Sequence, residues 1–193
     1  MKKSTLSIIS LVTTVFLTHS VFASEYAEAL NKLATGPIKE WAHSEQVISA
    51  IKEQNKNTEK LDQSKIDEMD KKWRAETDAT ARPMIEAILG NALSGYLKSV
   101  KNDAAGLYTE IFVMDMKGLN VGQSDVTSDY WQGDEGKFKK TYGQGPGSIL
   151  VDDVEFDDSS QTYQSQVSIA IVDPASNTVI GAVTVGVNVE ELE

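Results

Sequence analysis

Residues 162–189, TYQSQVSIAIVDPASNTVIGAVTVGVNV, contain two apolar segments joined by a short polar stretch. That stretch, DPASN at 173–177, has the residue types that reverse a chain, so the two segments are predicted to form a hairpin. Because side chains alternate across a strand, bulky residues fall on one face and small or mildly polar residues on the other. The bulky set is Val167, Ile169, Ile171, Val183, Val185 and Val187, and the small set includes Gln166, Ser168, Ala170, Ala182, Thr184 and Gly186.

Three more strand patterns precede this hairpin, at 108–114, 119–123 and 148–156. The N-terminal half instead has apolar residues at helical spacing, in segments 25–34, 37–51, 62–75 and 83–100, with a polar break expected at 53–60. Helices followed by a run of strands predict an α+β fold. We expect a five-stranded antiparallel sheet, with the last helix packed across it.

The first 23 residues have the pattern of a signal peptide. Lys2 and Lys3 precede an uncharged, largely apolar stretch, and Val21-Phe22-Ala23 fits a cleavage site. We therefore expect a periplasmic or secreted protein that starts at Ser24. The predicted organisation is a signal peptide at 1–23, a helical extension at 24–60 and a sensor-like domain at 61–193, with no output domain of its own.

Composition excludes several classes of function. The formal net charge of −11 disfavours nucleic acid as a partner, and the absence of cysteine excludes thiol chemistry and thiolate metal sites. His43 lies far in sequence from any serine nucleophile turn, and the chain contains no phosphate-binding or dinucleotide motif. The sequence therefore predicts a protein that is not an enzyme and that needs no cofactor.

The connection at 124–147 is much longer than a hairpin requires, and such loops often carry function. Tyr130 and Trp131 offer aromatic faces, while Asp125 and Asp129 suit a ligand ammonium group. A purely structural role, in which the aromatic residues fix the loop to the sheet, is the alternative. The spacing of the aspartates does not fit an EF-hand, because Tyr130 and Gly136 stand where glycine and glutamate are needed. An irregular calcium site stays open, and no metal ligand is assigned.

The small-residue face of the hairpin is a candidate pocket floor beneath this loop. Ser168 and Thr184 would supply hydrogen bonds from the floor, and Gln166 would lie at the rim. An ordinary solvent-facing sheet surface is the alternative interpretation.

Several segments, in this order, resemble the single Cache domains, which are extracellular PAS-like sensor modules of bacteria. They are FVMDMKGLNVG at 112–122, TSDYWQGDE at 127–135, ILVDDVEFD at 149–157 and the end of the hairpin. The resemblance covers about residues 60–190, and the DYWQGDE loop is similar to stand-alone secreted members. It implies a sheet with strands in the spatial order 2-1-5-4-3, and ligand binding between the sheet and the long loop. Family members also place cationic side chains near Arg74 in reach of a ligand carboxylate, which makes Arg74 a further candidate.

Two functions follow as hypotheses. The first is an exported sensor module that binds a small polar metabolite of the amino acid, amine or carboxylate class. The second is a periplasmic interaction subunit that docks on a membrane signalling protein and has an empty or vestigial pocket. A closed cavity between the small-residue face and the loop would distinguish them.

The signal peptide gives the first prediction. We expect mass spectrometry of the exported protein to give a chain that begins at Ser24, because cleavage follows the small residue Ala23. A full-length product retained in the inner membrane would contradict it.

Overall fold

A computed structural model describes residues 19–158 and 160–192, with side chains from Tyr26 onward. The predicted signal peptide lies outside these residues, except for 19–23 at the start of the first helix. Within the described residues, no helix has the length and apolar character needed to cross a bilayer.

From residue 19 onward, six helices precede the first strand: α1 (His19–Thr35), α2 (Pro37–Ala42), α3 (Glu45–Thr58), α4 (Gln63–Thr77), α5 (Pro83–Leu89) and α6 (Ala92–Asp103). The polar break expected at 53–60 was wrong, since α3 continues to Thr58. The polar C-terminal end of α3 is stabilised by contacts with the sheet, since the Asn55 side chain donates a hydrogen bond to Ile180 O over 2.8 Å. The helix expected at 83–100 is divided at Gly90-Asn91, where Asn91 Oδ1 accepts a hydrogen bond from Ser94 N and caps α6.

The sheet follows the predicted order. Its strands are β1 (Tyr108–Met114), β2 (Asn120–Gln123), β3 (Ile149–Val151), β4 (Glu155–Asp157), β5 (Thr162–Asp173) and β6 (Thr178–Asn188), and the short helix α7 (Gly136–Lys139) lies between β2 and β3. The antiparallel path is β2-β1-β6-β5-β3, and β4 also pairs with β5. The strand expected at 148–156 is therefore interrupted, at a point where the Ser165 hydroxyl donates to Asp152 O. The α+β architecture is confirmed.

The bulky face of β5 and β6 forms the main core, as predicted. Its valines and isoleucines pack in one cluster with residues of the helices, among them Leu30, Ile38, Ile51, Leu93 and Leu97. Helices α1, α2, α3 and α6 thus lie on a single side of the sheet, and the opposite face is left for other elements.

An irregularity between β1 and β2 changes which side chains share a face. Phe112 pairs with Gln123 and Val113 with Gly122, but Met114 pairs with Asn120, so Val121 is an extra residue in β2. Such a β-bulge shifts the alternation by one position. As a result Asn120 and Gln123, three residues apart, both lie on the face opposite the helices.

Replacement of a core residue tests the assignment of faces. Ile169 is 3% exposed, so we expect Ile169→Ala to destabilise the protein by about 2–5 kcal/mol. Val126→Ala, at a side chain that is 40% exposed, is the control and should change stability by less than ~0.5 kcal/mol. Urea denaturation measures both, and equal midpoints would show that the faces are assigned wrongly.

Candidate ligand-binding site

The sheet face opposite the helices is covered by α7 and by a one-turn 3₁₀ helix at Tyr142–Gln144. The rings of Phe138 and Tyr142 stack with centroids 4.8 Å apart and an interplanar angle of 11°. They pack on Phe112, Met114 and Ala182 of the sheet. We call this face, together with residues 136–144 above it, the covered face.

The floor of the covered face is polar at its centre. Ser168 and Thr184 are neighbours on β5 and β6, are fully buried, and join their hydroxyl oxygens over 2.9 Å. One hydroxyl proton of the pair remains available, because only one is used between them. Ala170 and Ala182 are the next cross-strand pair and leave space beside the hydroxyls.

Two buried amides lie at the β2 end of the same face. The Asn120 Nδ2 group donates to Gln123 Oε1 over 3.0 Å and to Asp129 O over 3.1 Å. The backbone oxygen of Asp129 can only accept, which fixes the orientation of the Asn120 amide. Gln123 Oε1 must then face Asn120, so the orientation of the second amide follows from the first.

The other atom of each amide has no partner. Asn120 and Gln123 are fully buried. Asn120 Oδ1 and Gln123 Nε2 nevertheless make no hydrogen bond within the described residues. A buried polar group without a partner costs about 1–3 kcal/mol, so such groups call for an explanation. The face thus presents one free acceptor and one free donor close together.

Charged side chains of both signs stand at the rim. Glu110 Oε1 accepts a hydrogen bond of 2.9 Å from the Gln166 side chain. Lys137 on α7 pairs with Glu135 over 3.0 Å and places its ammonium group 5.3 Å from the centroid of Phe112. Burial raises the pKa of Glu110, whereas the bond from Gln166 and the charge of Lys137 act to lower it.

An acidic cleft of about 400 Å³ lies beside this rim. Gln164 and Gln166 line it together with Phe156 and the carboxylates of Asp152, Asp153, Glu155 and Asp157. Within the described part of the chain, no group of three histidine, aspartate or glutamate side chains is arranged to hold a metal ion.

The structure places Tyr130 and Trp131 away from the covered face. Tyr130 is buried against α4 and α5, where its ring stacks on that of Trp73 with centroids 5.5 Å apart. Trp131 Nε1 donates to Lys117 O over 2.8 Å, and its backbone forms a bridge with Leu119 beside β2. In the structure both aromatic residues thus have partners within the protein, and their contact with a ligand stays a prediction.

Asp70 holds this loop against α4. Its Oδ1 accepts hydrogen bonds from the backbone N–H groups of Tyr130 and Trp131, at 2.9 and 3.0 Å. Its Oδ2 pairs with Arg74 over 2.7 Å, and Arg74 also pairs with Asp129 over 2.7 Å. The hydrogen bond and charge of Asp70, with the charge of Asp129, raise the pKa of Arg74 against a smaller opposing effect of burial.

The predicted site residues thus fall into separate groups. Ser168 and Thr184 lie on the floor of the covered face and Gln166 at its rim, and their contact with a ligand stays a prediction. Arg74 and Asp129 belong to the loop anchor, and exposed Asp125 pairs with Lys101 over 2.6 Å. The sequence interpretation missed Asn120 and Gln123, which strict alternation puts on opposite faces. It also passed over Phe138, although its spacing from Tyr142 on the expected helical turn was a usable signal.

No family model matches the chain, and no curated protein matches it. The sensory domain of the Campylobacter jejuni chemoreceptor Tlp3 is 14% identical, with 90% of this chain and 63% of that chain covered and a TM-score of 0.42. The Escherichia coli DcuS sensor domain is 13% identical, with 90% and 93% covered and a TM-score of 0.42.

The sensor domain of the Vibrio cholerae histidine kinase DctB is 9% identical, with 88% of this chain and 57% of that chain covered and a TM-score of 0.39. The chain spans less than two thirds of the length of the Tlp3 and DctB domains. At TM-scores below 0.5, these likenesses do not establish a family.

Removal of the loop anchor tests its structural role. We expect Asp70→Ala to destabilise the protein by at least about 1.5–3 kcal/mol, the usual contribution of a hydrogen bond to a charged group. Asp67→Ala, at an exposed position on the same helix, is the control and should cost less than ~0.5 kcal/mol. Urea denaturation followed by circular dichroism measures both, and equal midpoints would show that Asp70 does not anchor the loop.

Proposed function

We propose that this protein is an exported sensor module that binds a small polar metabolite on the covered face. The observation that carries the proposal is the pair of buried amide atoms without partners, Asn120 Oδ1 and Gln123 Nε2. Folding has removed both from water without replacing their hydrogen bonds. A ligand that offers one donor and one acceptor would satisfy both.

The surrounding chemistry narrows the class of ligand. Glu110 and Lys137 supply opposite charges at the rim, which suits a zwitterion with an ammonium and a carboxylate group. The floor adds the hydroxyls of Ser168 and Thr184, and Phe112 and Met114 add apolar surface. An amino acid combines these features. It is one of the three ligand classes, amino acids, amines and carboxylates, that the sequence analysis favours.

In this proposal the aromatic side chains that contact the ligand are those of residues 136–144, above the sheet. Phe138 and Tyr142 lie directly above Ala182 and occupy the space that a ligand would take. In the proposal these two rings move aside and pack against the bound molecule, while the Asp70 anchor keeps residues 129–131 in place. Aromatic residues in such positions commonly line small-molecule sites.

The resemblance to single Cache domains supports the same assignment, because it implies ligand binding between the sheet and the long connection. We also propose that the chain is organised into a signal peptide at 1–23, a helical extension at 24–60 and a sensor-like domain at 61–193. Transmission of the signal is assigned to a membrane partner.

One observation favours the alternative, an interaction subunit. Phe156 and Tyr163 are 49% and 52% exposed, and their rings meet edge to face with centroids 5.3 Å apart. Large aromatic side chains on a surface are characteristic of protein interfaces. Such a subunit would bind no metabolite.

A thermal-shift screen of the chain from Ser24 against amino acids, amines and carboxylates tests the proposal first. Binding to the native state raises apparent stability, so we expect a rise in melting temperature with one member of the zwitterionic set. If no compound in the screen shifts the melting temperature, the sensor proposal fails and the interaction subunit is favoured.

Calorimetric titration of variants with the compound so found then locates the site. Gln123→Glu keeps the acceptor used by Asn120 but replaces the free donor, so we expect affinity to fall at least about tenfold, or ~1.4 kcal/mol. Gln144→Glu makes the same chemical change at an exposed position of the cover and should leave affinity unchanged.

Trp131→Ala tests the sequence-based assignment of the loop aromatics. If the ligand contacts Trp131, this variant should bind more than about tenfold more weakly while it keeps its fold. If the ligand lies on the covered face, Gln123→Glu should have the larger effect.

A further inference from the structure

A second cleft, of about 440 Å³, lies at the free edge of β5 beyond the end of β3. Its walls come from the end of α1, from α2 and from the turn at 146–148. Its volume falls in the range of small-molecule sites, about 300–1,000 Å³. Apolar side chains dominate the lining and include Ala34, Ile149, Ile169 and Val172.

The charge of this cleft is opposite to that of the rest of the protein. The chain carries a net charge of −11, yet the ionisable side chains described at the cleft are Lys39 and His43, with no carboxylate. Lys39 is exposed and makes no salt bridge within the described residues. The acidic cleft beside the rim has a similar volume and the reverse chemistry.

His43 joins two elements at the cleft. Its Nδ1 lies 2.9 Å from Lys39 O, an oxygen that only accepts, so Nδ1 carries the proton. Its Nε2 can then accept the N–H of Val172 over 3.4 Å. Among the described residues that line the cleft, Lys39 is the lysine or arginine, and His43 ties α2 to the edge of β5.

The open edge of β5 does not offer the donors that an added strand would need. The Ala170 N–H donates to Ser148 O over 3.0 Å, and the Val172 N–H is directed at His43. Recognition of an extended peptide by strand addition depends on such main-chain groups. The chemistry of the cleft instead suits a compact ligand that places an apolar body against the walls and an anion at Lys39.

We propose that this cleft is a second ligand site, distinct from the covered face, for a small amphipathic monocarboxylate. The alkyl part lies against Ala34, Ile169 and Val172, and the carboxylate pairs with the Lys39 ammonium group. The site does not depend on whether the covered face binds a metabolite.

Titration of the chain from Ser24 with hexanoate and with hexanamide, followed by amide NMR shifts, tests the proposal. We expect hexanoate to shift the amides of His43, Ser148 and Val172. Hexanamide has the same shape without the charge and should bind about two- to fivefold more weakly, the range expected for one exposed ion pair. Equal affinities, or shifts confined to Ser168 and Thr184, would overturn the proposal.

Two substitutions and a control complete the test. Lys39→Gln should reduce hexanoate affinity to that of hexanamide, whereas Lys71→Gln, at an exposed position on α4, should not change it. Thr35→Trp places a large ring in the cleft wall from an exposed helix end and should abolish binding of both compounds. Unchanged binding in Lys39→Gln or Thr35→Trp, in protein that is folded by circular dichroism, would also overturn the proposal.

Discussion

The alternation of side-chain size along β5 and β6 is the constraint on which the rest of the structure depends. These two strands pair at ten positions at the centre of the sheet. Their bulky residues Val167, Ile169, Ile171, Val183, Val185 and Val187 all pack in the core on one side. Four helices must cover that side to remove it from water. The other side carries small and hydroxyl side chains, which cannot form an apolar core of comparable size. The division of the molecule into a stabilising face and a polar covered face therefore begins in the hairpin.

This constraint is local in sequence, which is why much of the fold could be predicted from it. The hairpin and the single-sided helical layer follow from period-two alternation and from the turn at 173–177, whereas the strand order was expected from the resemblance to single Cache domains. The floor residues Ser168 and Thr184 follow from the same alternation. The helix boundaries were less predictable, because the polar end of α3 is supported by Asn55 and by other contacts with distant residues.

The remaining part of the site depends on features that alternation does not reveal. The bulge at Val121 brings Asn120 and Gln123 to one face, and it is visible only once β1 and β2 are paired. The role of the loop aromatics depends on Asp70, which is about sixty residues earlier in the chain and is one of many acidic side chains on the helices. Tyr130 and Trp131 are suitable for stacking on a ligand, but α4 and the 117–119 turn supply their partners instead.

The path of the loop beside β2 also affects the tendency of the protein to aggregate at high concentration. Asn120 N donates to Tyr130 O and Gln132 N donates to Gly118 O, so residues 130–132 pair along the outer edge of the sheet. An open edge of this kind is where sheets of separate molecules join and aggregate. The opposite edge consists of two three-residue strands flanked by acidic side chains, a second arrangement that discourages such joining. The segment that the sequence analysis singled out as a candidate ligand-binding loop thus also protects the sheet edge against strand-to-strand association.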